Sequence, residues 1–331
     1  MKPDVVTVSF GNPDLLLPLL RSLELQSKDI GVIYLWHNGP RAFDRAALAP
    51  FTSLRIEVDE CDQNLGYGAG VNRGFAKSRA EIIVVVNPDV ALAPDCIRQL
   101  ANRFVSDPAP VLVGGLLTDA EARVNAHGLS LTFDGLGIDE ARGHMPEAVS
   151  VRVARPLAPS GALFAVSKGR WHQLGGAALF PESLFLYMED VALGIKVRRM
   201  NAVVAFCPEA RGVHEFSEST GRRSPLKLYQ VERNRLWILR SLRGRKHALF
   251  TFPFTLLRFA AYVCPVRARG ATKGAPGGLD PRWALVLARA WRDGLCTSLP
   301  DELSQYWGET APRSLRGYYA PLAAQLRDPT R

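Results

Sequence analysis

The chain has 331 residues, 47% of them hydrophobic and 22% charged, with 41 Lys+Arg against 32 Asp+Glu for a net charge of +9. This composition supports a packed core and excludes a largely disordered chain, and the length allows one large domain with an appendage or two domains. The positive balance points to an anionic partner: nucleic acid, a phosphorylated ligand or a membrane surface.

The segment 4–10, DVVTVSF, reads as a first strand, and Pro13 opens a leucine-rich helix to about Gln26. GVIYLWHN (31–38) is a second strand closing on the turn signal Asn38-Gly39, and LRIEVDE (54–60) alternates as a third. NLGYGAGVNRGFAKSRA (64–80) is a Gly-rich loop running into a helix. EIIVVVN follows as a fourth strand, apolar throughout as a parallel strand buried on both faces would be. APDCIRQLANRFV (93–105) is the next helix. Strands alternating with helices predict an α/β domain with a mostly parallel sheet, which binds ligands at the carboxyl ends of its strands. Asn38, Asn87, Asp89 and the loop around Asn64 fall at those ends.

Beyond about 110, shorter mixed strands are expected at 111–118, 127–133, 151–157 and 160–168, with helices at GRWHQLGG and 191–200 and a last strand over 202–215. From about 220 the chain turns basic. PLKLYQVERNRLWILRSLR (225–243) reads as a helix and RARGATKGAPGGLD (267–280) as a linker. The greasy segment 248–266 is interrupted by Pro253, Arg258 and Pro265, so a buried or interfacial helix pair is expected there rather than a membrane span. Five scattered cysteines without a C-x-x-C pair suit a reduced cytosolic compartment, the six histidines show no zinc spacing, and MKPDVVTVSF carries no signal-peptide pattern.

Four features can carry chemistry. Asp89, in Asn87-Pro88-Asp89 after the fourth strand, is either turn chemistry or a ligand for a hard divalent cation on a phosphate. The loop 64–74 invites a dinucleotide-binding label, but Val71 stands where the third glycine is needed and the loop follows the third strand rather than the first. It remains a loop whose backbone N–H groups could approach a nucleotide or sugar. Glu189-Asp190 opens a helix, either as N-terminal capping or as a general base for a hydroxyl nucleophile. In RGVHEFSESTGRRSP (211–225), His214 suits a metal or phosphate contact, and Arg222-Arg223 could fork onto a diphosphate.

The order of these blocks resembles the family 2 glycosyltransferases of the GT-A fold, in their rhamnosyltransferase-like branch. The blocks are VVTVSF, NLGYGAGVNRG, VVVNPDV, SGALFAVSKGRWHQLGG, LFLYMEDVALGIKVRRM, CPEARGVHEFS and LYQVERNRL, spread over about residues 4–245. The resemblance implies inverting transfer of a sugar from a nucleotide-diphosphate donor, with dTDP-rhamnose a candidate, to a hydroxyl of a glycan or lipid-linked acceptor in cell-surface polysaccharide assembly.

It further implies that Asp190, beside Glu189, is the base, and that Asp89 and His214 hold Mg²⁺ or Mn²⁺. Nucleotide-sugar contacts would come from Ser9, His37, Asn38, Asn64, Gly66, Asn72, Asn87 and Arg222. Two departures stand out: Asn87 replaces a common first Asp, and His37 replaces the acid that usually meets the nucleobase.

A catalytic domain over 1–220 and a helical extension over 221–331 are expected. The extension is read as an element meeting anionic lipid on the inner face of the membrane, as a helical cap, or as a homodimer contact. Nucleic acid is not expected as a partner, and FGNPDLLLPL lacks the basic loop that nucleotidyl transfer needs. The rival reading is a non-catalytic protein that binds sugar nucleotides or membranes.

Overall fold

Valine and isoleucine runs form strands because their branched side chains pack on a pleated surface, and the run Ile82–Val86 is buried at all five positions. The computed structural model describes residues 2–149, 156–214, 224–263, 281–307 and 319. Its strands in chain order are β1 (Asp4–Phe10), β2 (Val32–Asn38), β3 (Arg55–Cys61), β4 (Ile82–Val86), β5 (Val90–Leu92), β6 (Pro110–Thr118), β7 (Val124–Ala126), β8 (Gly128–Leu131), β9 (Gly137–Asp139), β10 (Ala158–Pro159), β11 (Leu163–Ser167) and β12 (Val203–His214). The helices are α1 (Leu17–Glu24), α2 (Tyr67–Lys77), α3 (Cys96–Ser106), α4 (Lys168–Gln173), α5 (Glu189–Arg199), α6 (Pro225–Arg243), α7 (Arg245–Phe250), α8 (Phe252–Val263), α9 (Pro281–Cys296) and α10 (Asp301–Tyr306).

The main sheet runs β3-β2-β1-β4-β11-β6-β12-β5, with β7 pairing to β6. β3, β2, β1 and β4 pair in parallel, as do β6 and β12. β11 lies antiparallel between β4 and β6, so those six strands point one way and β11, β5 and β7 oppose them. The expected mostly parallel sheet is therefore present, with reversals that local periodicity does not announce. A smaller antiparallel sheet, β10-β8-β9, lies beside it.

One core forms around α1, α3 and one sheet face through Leu19, Leu23, Ile97 and Leu100; another forms around α2 and α5 through Val71, Phe75, Trp171 and Leu193. The glycines of α2 serve this packing. A Cβ on Gly70 would lie 2.7 Å from Trp36, and one on Gly74 would lie 2.6 Å from Val6, so their absence lets the helix sit down on β1 and β2.

The strand expected over 151–157 falls largely, and the linker 267–280 wholly, outside the described residues. The segment 248–266 is a pair of short helices over its described part, α7 and α8. Among the described residues no helix is long and apolar enough to cross a membrane. The short strands β5, β7 and β9 and the helices α9 and α10 were not anticipated from pattern.

Candidate functional site

The site is built at the carboxyl edge of the main sheet. β4 ends at Val86, and the turn through Pro88 carries Asp89 into β5, whose antiparallel pairing sets His214 opposite Val90. That register brings together two residues 125 apart in sequence: His214 Nε2 lies 3.1 Å from Asp89 Oδ1. The other ring nitrogen, Nδ1, lies 3.0 Å from Asn125 Oδ1, with Asn125 buried on β7. An amide oxygen only accepts, so Nδ1 donates to it, and Nε2 faces the Asp89 carboxylate. Two ligand atoms facing one another suit a cation held between them.

Among the described residues no cluster of three His, Cys, Asp or Glu side chains could hold a metal. A cation here would draw its remaining ligands from a diphosphate and water, the usual arrangement for Mg²⁺. Asp89 and His214 fit that role.

Glu189 and Asp190 open α5. The three residues before that helix include two in the left-handed region, Tyr187 at φ 67° and Met188 at φ 74°, and Phe185 precedes them at φ 65°. Side chains other than glycine rarely adopt this conformation, and it persists only when the surroundings over-determine it. Asn234 of α6, fully buried, supplies that constraint. Its Nδ2 donates to the carbonyls of Leu184, Leu186 and Tyr187 at 2.8, 3.0 and 2.8 Å, and its Oδ1 accepts from Arg233.

Asp190 accepts from the backbone N–H of Val191 at 2.8 Å and of Gly161 at 3.3 Å. Burial raises both carboxyls. Glu189 is pushed up to about 8 by burial and then by the neighbouring Asp190 charge, and backbone N–H bonds work against the rise at both residues. Glu189 therefore keeps its proton near neutral pH.

Tyr67 ties the parts together. Its hydroxyl donates to Gly161 O at 2.8 Å, and its backbone N–H donates to Phe185 O at 2.8 Å. Burial raises the phenol well above its ordinary value, and the charges of Glu189, Asp190 and Asp89 add to the rise.

The other sequence candidates divide into residues near this edge and residues used up inside the fold. Asn38 is buried; its Nδ2 donates to Gly66 O at 2.9 Å, and its Oδ1 accepts from Trp36 Nε1 and Leu65 N. Asn64, exposed, accepts from Gly66 N at 3.0 Å and shapes the loop. Gly66 has φ +88°, and a Cβ there would meet Phe185 O at 2.1 Å, so the glycine receives protein backbone at that point. Asn72 accepts from Leu179 N and Phe180 N and donates to Phe180 O, which leaves its amide committed to the fold.

Ser9 and His37 are both buried. Ser9 Oγ donates to His37 Nδ1 at 2.8 Å, and His37 Nε2 donates to Arg41 O at 3.0 Å, so both ring nitrogens are engaged. Asn87 is half-buried, with its backbone N–H on Ala162 O. Arg222 lies outside the described residues. Sequence reasoning missed Tyr67, Asn125 and Asn234; only the long spacing between their partners distinguishes them, and a single chain gives no sign of it.

The family model Glycosyl transferase family 2 matches residues 4–145. The N-acetylglucosaminyl-diphospho-decaprenol L-rhamnosyltransferase of Mycobacterium tuberculosis (strain CDC 1551 / Oshkosh) is 28% identical over 244 residues, covering 66% of this chain and 77% of that protein. Among solved structures, S. aureus TarS 1–349 in complex with UDP-GlcNAc superposes with a TM-score of 0.52 at 14% identity, covering 92% of this chain and 84% of that one. The mannosyltransferase PcManGT of Pyrobaculum calidifontis, in complex with GDP-Man and Mn²⁺, superposes with a TM-score of 0.51 at 14% identity, covering 88% and 85%. At these identities the two structures speak to the fold alone.

Proposed function

We propose that this chain, whose residues 4–145 match the Glycosyl transferase family 2 model, transfers a sugar with inversion from a nucleotide-diphosphate donor to a hydroxyl of a lipid-linked glycan. The observation that carries this reading is the geometry at the carboxyl edge of the sheet, where Asp89 faces His214 at 3.1 Å and Gly161 links Asp190 to the Tyr67 hydroxyl. The rhamnosyltransferase relative, named for a lipid-linked N-acetylglucosaminyl acceptor, supports that class of acceptor and makes dTDP-rhamnose the first donor to try.

Asp190 accepts the proton of the acceptor hydroxyl as that oxygen attacks C1 from the face opposite the nucleotide. The hydroxyl is a weak nucleophile until a positioned carboxylate takes its proton. Glu189 stays neutral beside it, which keeps the second charge off the pair. Asp89 and His214 would hold a Mg²⁺ or Mn²⁺ against the diphosphate, and a cation there supplies charge neutralisation to the departing nucleoside diphosphate. Asn64 and Asn87 lie where they could meet the donor. The buried pair Ser9 and His37 would shape the base pocket from behind rather than touch the base.

We take residues 1–220 as the catalytic domain and 221–331 as a helical extension, with the enzyme cytoplasmic and peripheral on the inner face of the membrane. Two experiments test the reading. Asp190→Asn is expected to bind donor and lose transfer; transfer at the wild-type rate refutes the base assignment. A thermal-shift panel of nucleotide sugars with and without Mn²⁺ is expected to respond to dTDP- or UDP-sugars. A response to GDP-sugars alone would remove the rhamnosyl assignment, and donor binding with neither hydrolysis nor transfer would favour a non-catalytic protein.

A further inference from the structure

Helix α8 is built with its polar side inward. A surface helix ordinarily turns its apolar stripe to the core and its polar residues to water. Here Thr251, just before the helix, and Thr255 within it are fully buried, and Arg258 reaches inward as well. Arg235 of α6 donates to Thr251 Oγ1 at 2.9 Å, to Thr255 Oγ1 at 2.8 Å, to Glu232 Oε2 at 2.7 Å and to the Asp134 carbonyl at 2.8 Å. Arg258 donates to Glu232 Oε1 at 2.9 Å and pairs with the Asp134 carboxylate. Two guanidinium groups and two carboxylates therefore lock the polar side of α8 against α6 and the β8–β9 turn, and the helix cannot roll over.

The outward side is apolar. Phe250 is 65% exposed and Leu257 64%, with Leu249, Phe254 and Leu256 also exposed. Phe133, at the tip of the β8–β9 turn, joins them, with ring centroids 5.5 Å from Phe254 and 6.4 Å from Phe250. Lone exposed apolar residues are ordinary; a joined set that includes three phenylalanines marks a contact surface. Arg243, Arg245 and Lys246 stand exposed where the chain enters this patch.

We propose that this face is a docking surface for an anionic lipid bilayer, with α7 and α8 lying in the plane of the interface, the phenylalanines and leucines among the acyl chains, and the three cations at the headgroups. The basic rim selects a negatively charged surface, and α8, at 12 residues, is too short to span but suited to lie flat. The surface is joined to the chemistry through adjacent residues of one helix: Arg235 anchors α8, and Asn234 holds the strained loop that presents Glu189 and Asp190. A bilayer contact on α8 would thus set the catalytic loop at a defined height above the membrane.

The inference deepens the lipid-linked-acceptor reading and rests on it for its purpose. Its test uses neither donor nor acceptor, so the two can fail separately. Full-length protein is co-sedimented with extruded vesicles of pure phosphatidylcholine or of an equal mixture with phosphatidylglycerol. Binding to the anionic vesicles, weakened by added salt, is expected. The double variant Phe250→Glu/Leu257→Glu changes only exposed positions and is expected to bind at least about tenfold more weakly, the factor for keeping one such side chain out of an apolar phase. Arg245→Glu/Lys246→Glu is expected to remove the preference for the anionic vesicles.

Failure of the wild-type protein to sediment with anionic vesicles overturns the proposal, as does equal binding by the apolar double variant. Equal binding to both vesicle types overturns the anionic assignment. A dimer in sedimentation velocity that the apolar substitutions dissociate, without vesicle binding, would show a second copy as the occupant and likewise overturn it.

Discussion

Glu189 and Glu232 are both helical glutamates, 6% and 4% exposed, and each has an aspartate in its cluster. Burial raises Glu189 to about 8, with the Asp190 charge adding to it. Burial works on Glu232 in the same direction, yet Arg235 and Arg258 outweigh it and hold that carboxyl down at about 2. The difference lies in the partners. Glu232 meets two guanidinium groups and becomes part of a closed network, while Glu189 and Asp190 have backbone N–H groups and a phenol nearby. Desolvation without a countercharge makes carboxyls that exchange protons near neutral pH, and desolvation with a countercharge makes them structural.

The contrast can be tested by treating the two clusters alike. Asp190→Asn is expected to lower turnover by about 10²–10⁴-fold, the usual worth of a general base, in a steady-state transfer assay. Glu189→Gln replaces a group already neutral and should cost far less; an equal loss would mean that Glu189 is the working base.

In the other cluster the large effect falls on stability. Arg235→Ala leaves Glu232 and Asp134 with one guanidinium between them, and urea unfolding should report a loss of about 3–5 kcal/mol, typical of breaking a buried ion pair. Asn234→Ala removes the donor that holds the strained loop before Glu189. It should lower stability by about 1–3 kcal/mol for the carbonyls left unpaired, and it should lower kcat more than the milder change Asn234→Ser.

The pH dependence of stability has opposite signs in the two places. A carboxyl raised on folding binds more protons in the native state, so the stability linked to Glu189 is present below its unfolded value of 4.5 and lost as pH rises through about 8. A carboxyl lowered on folding behaves in reverse: the contribution of Glu232 is present above 4.5 and lost as pH falls through about 2. Melting curves should show wild type losing stability as pH rises from about 4.5 to about 8, and Glu189→Gln should flatten that limb alone. An unchanged limb in the variant would assign the effect elsewhere.

Much of the site was legible residue by residue. Asp89, Glu189, Asp190 and His214 announce themselves as carboxylates and an imidazole at element ends, and the family resemblance orders them. The same reasoning also named other polar residues at this edge. His37 and Asn72 have the right chemistry and position for a ligand, yet their side chains turn inward and bond to Ser9, Arg41 and the 179–180 backbone. The Gly-rich loop suggested backbone N–H groups approaching a nucleotide or sugar; in the fold Gly66 makes room for the Phe185 carbonyl and Gly70 and Gly74 for β1 and β2. Asn125 and Asn234 gave no signal, because an asparagine's role depends on which carbonyl or ring comes to meet it.

By itself the chain determined the strands β1 to β4, helix α2 and the carboxyl-edge location of the site, since side-chain periodicity acts over a few residues. Tertiary structure decided what lies further apart. The β5–β12 register put His214 on Asp89, and the reversal of β11 put Gly161 under Asp190. The partners brought to Glu189 and Glu232 set their opposite protonation, because the energy of a buried charge depends on the charges and dipoles within a few ångströms, whatever their distance along the chain. The apolar segment after 248 could be read as a buried or interfacial helix pair, without a sign of which side turns outward. The buried position of Glu232 and Asp134 decided that α8 turns Thr255 and Arg258 inward and leaves Phe252, Phe254 and Leu257 exposed.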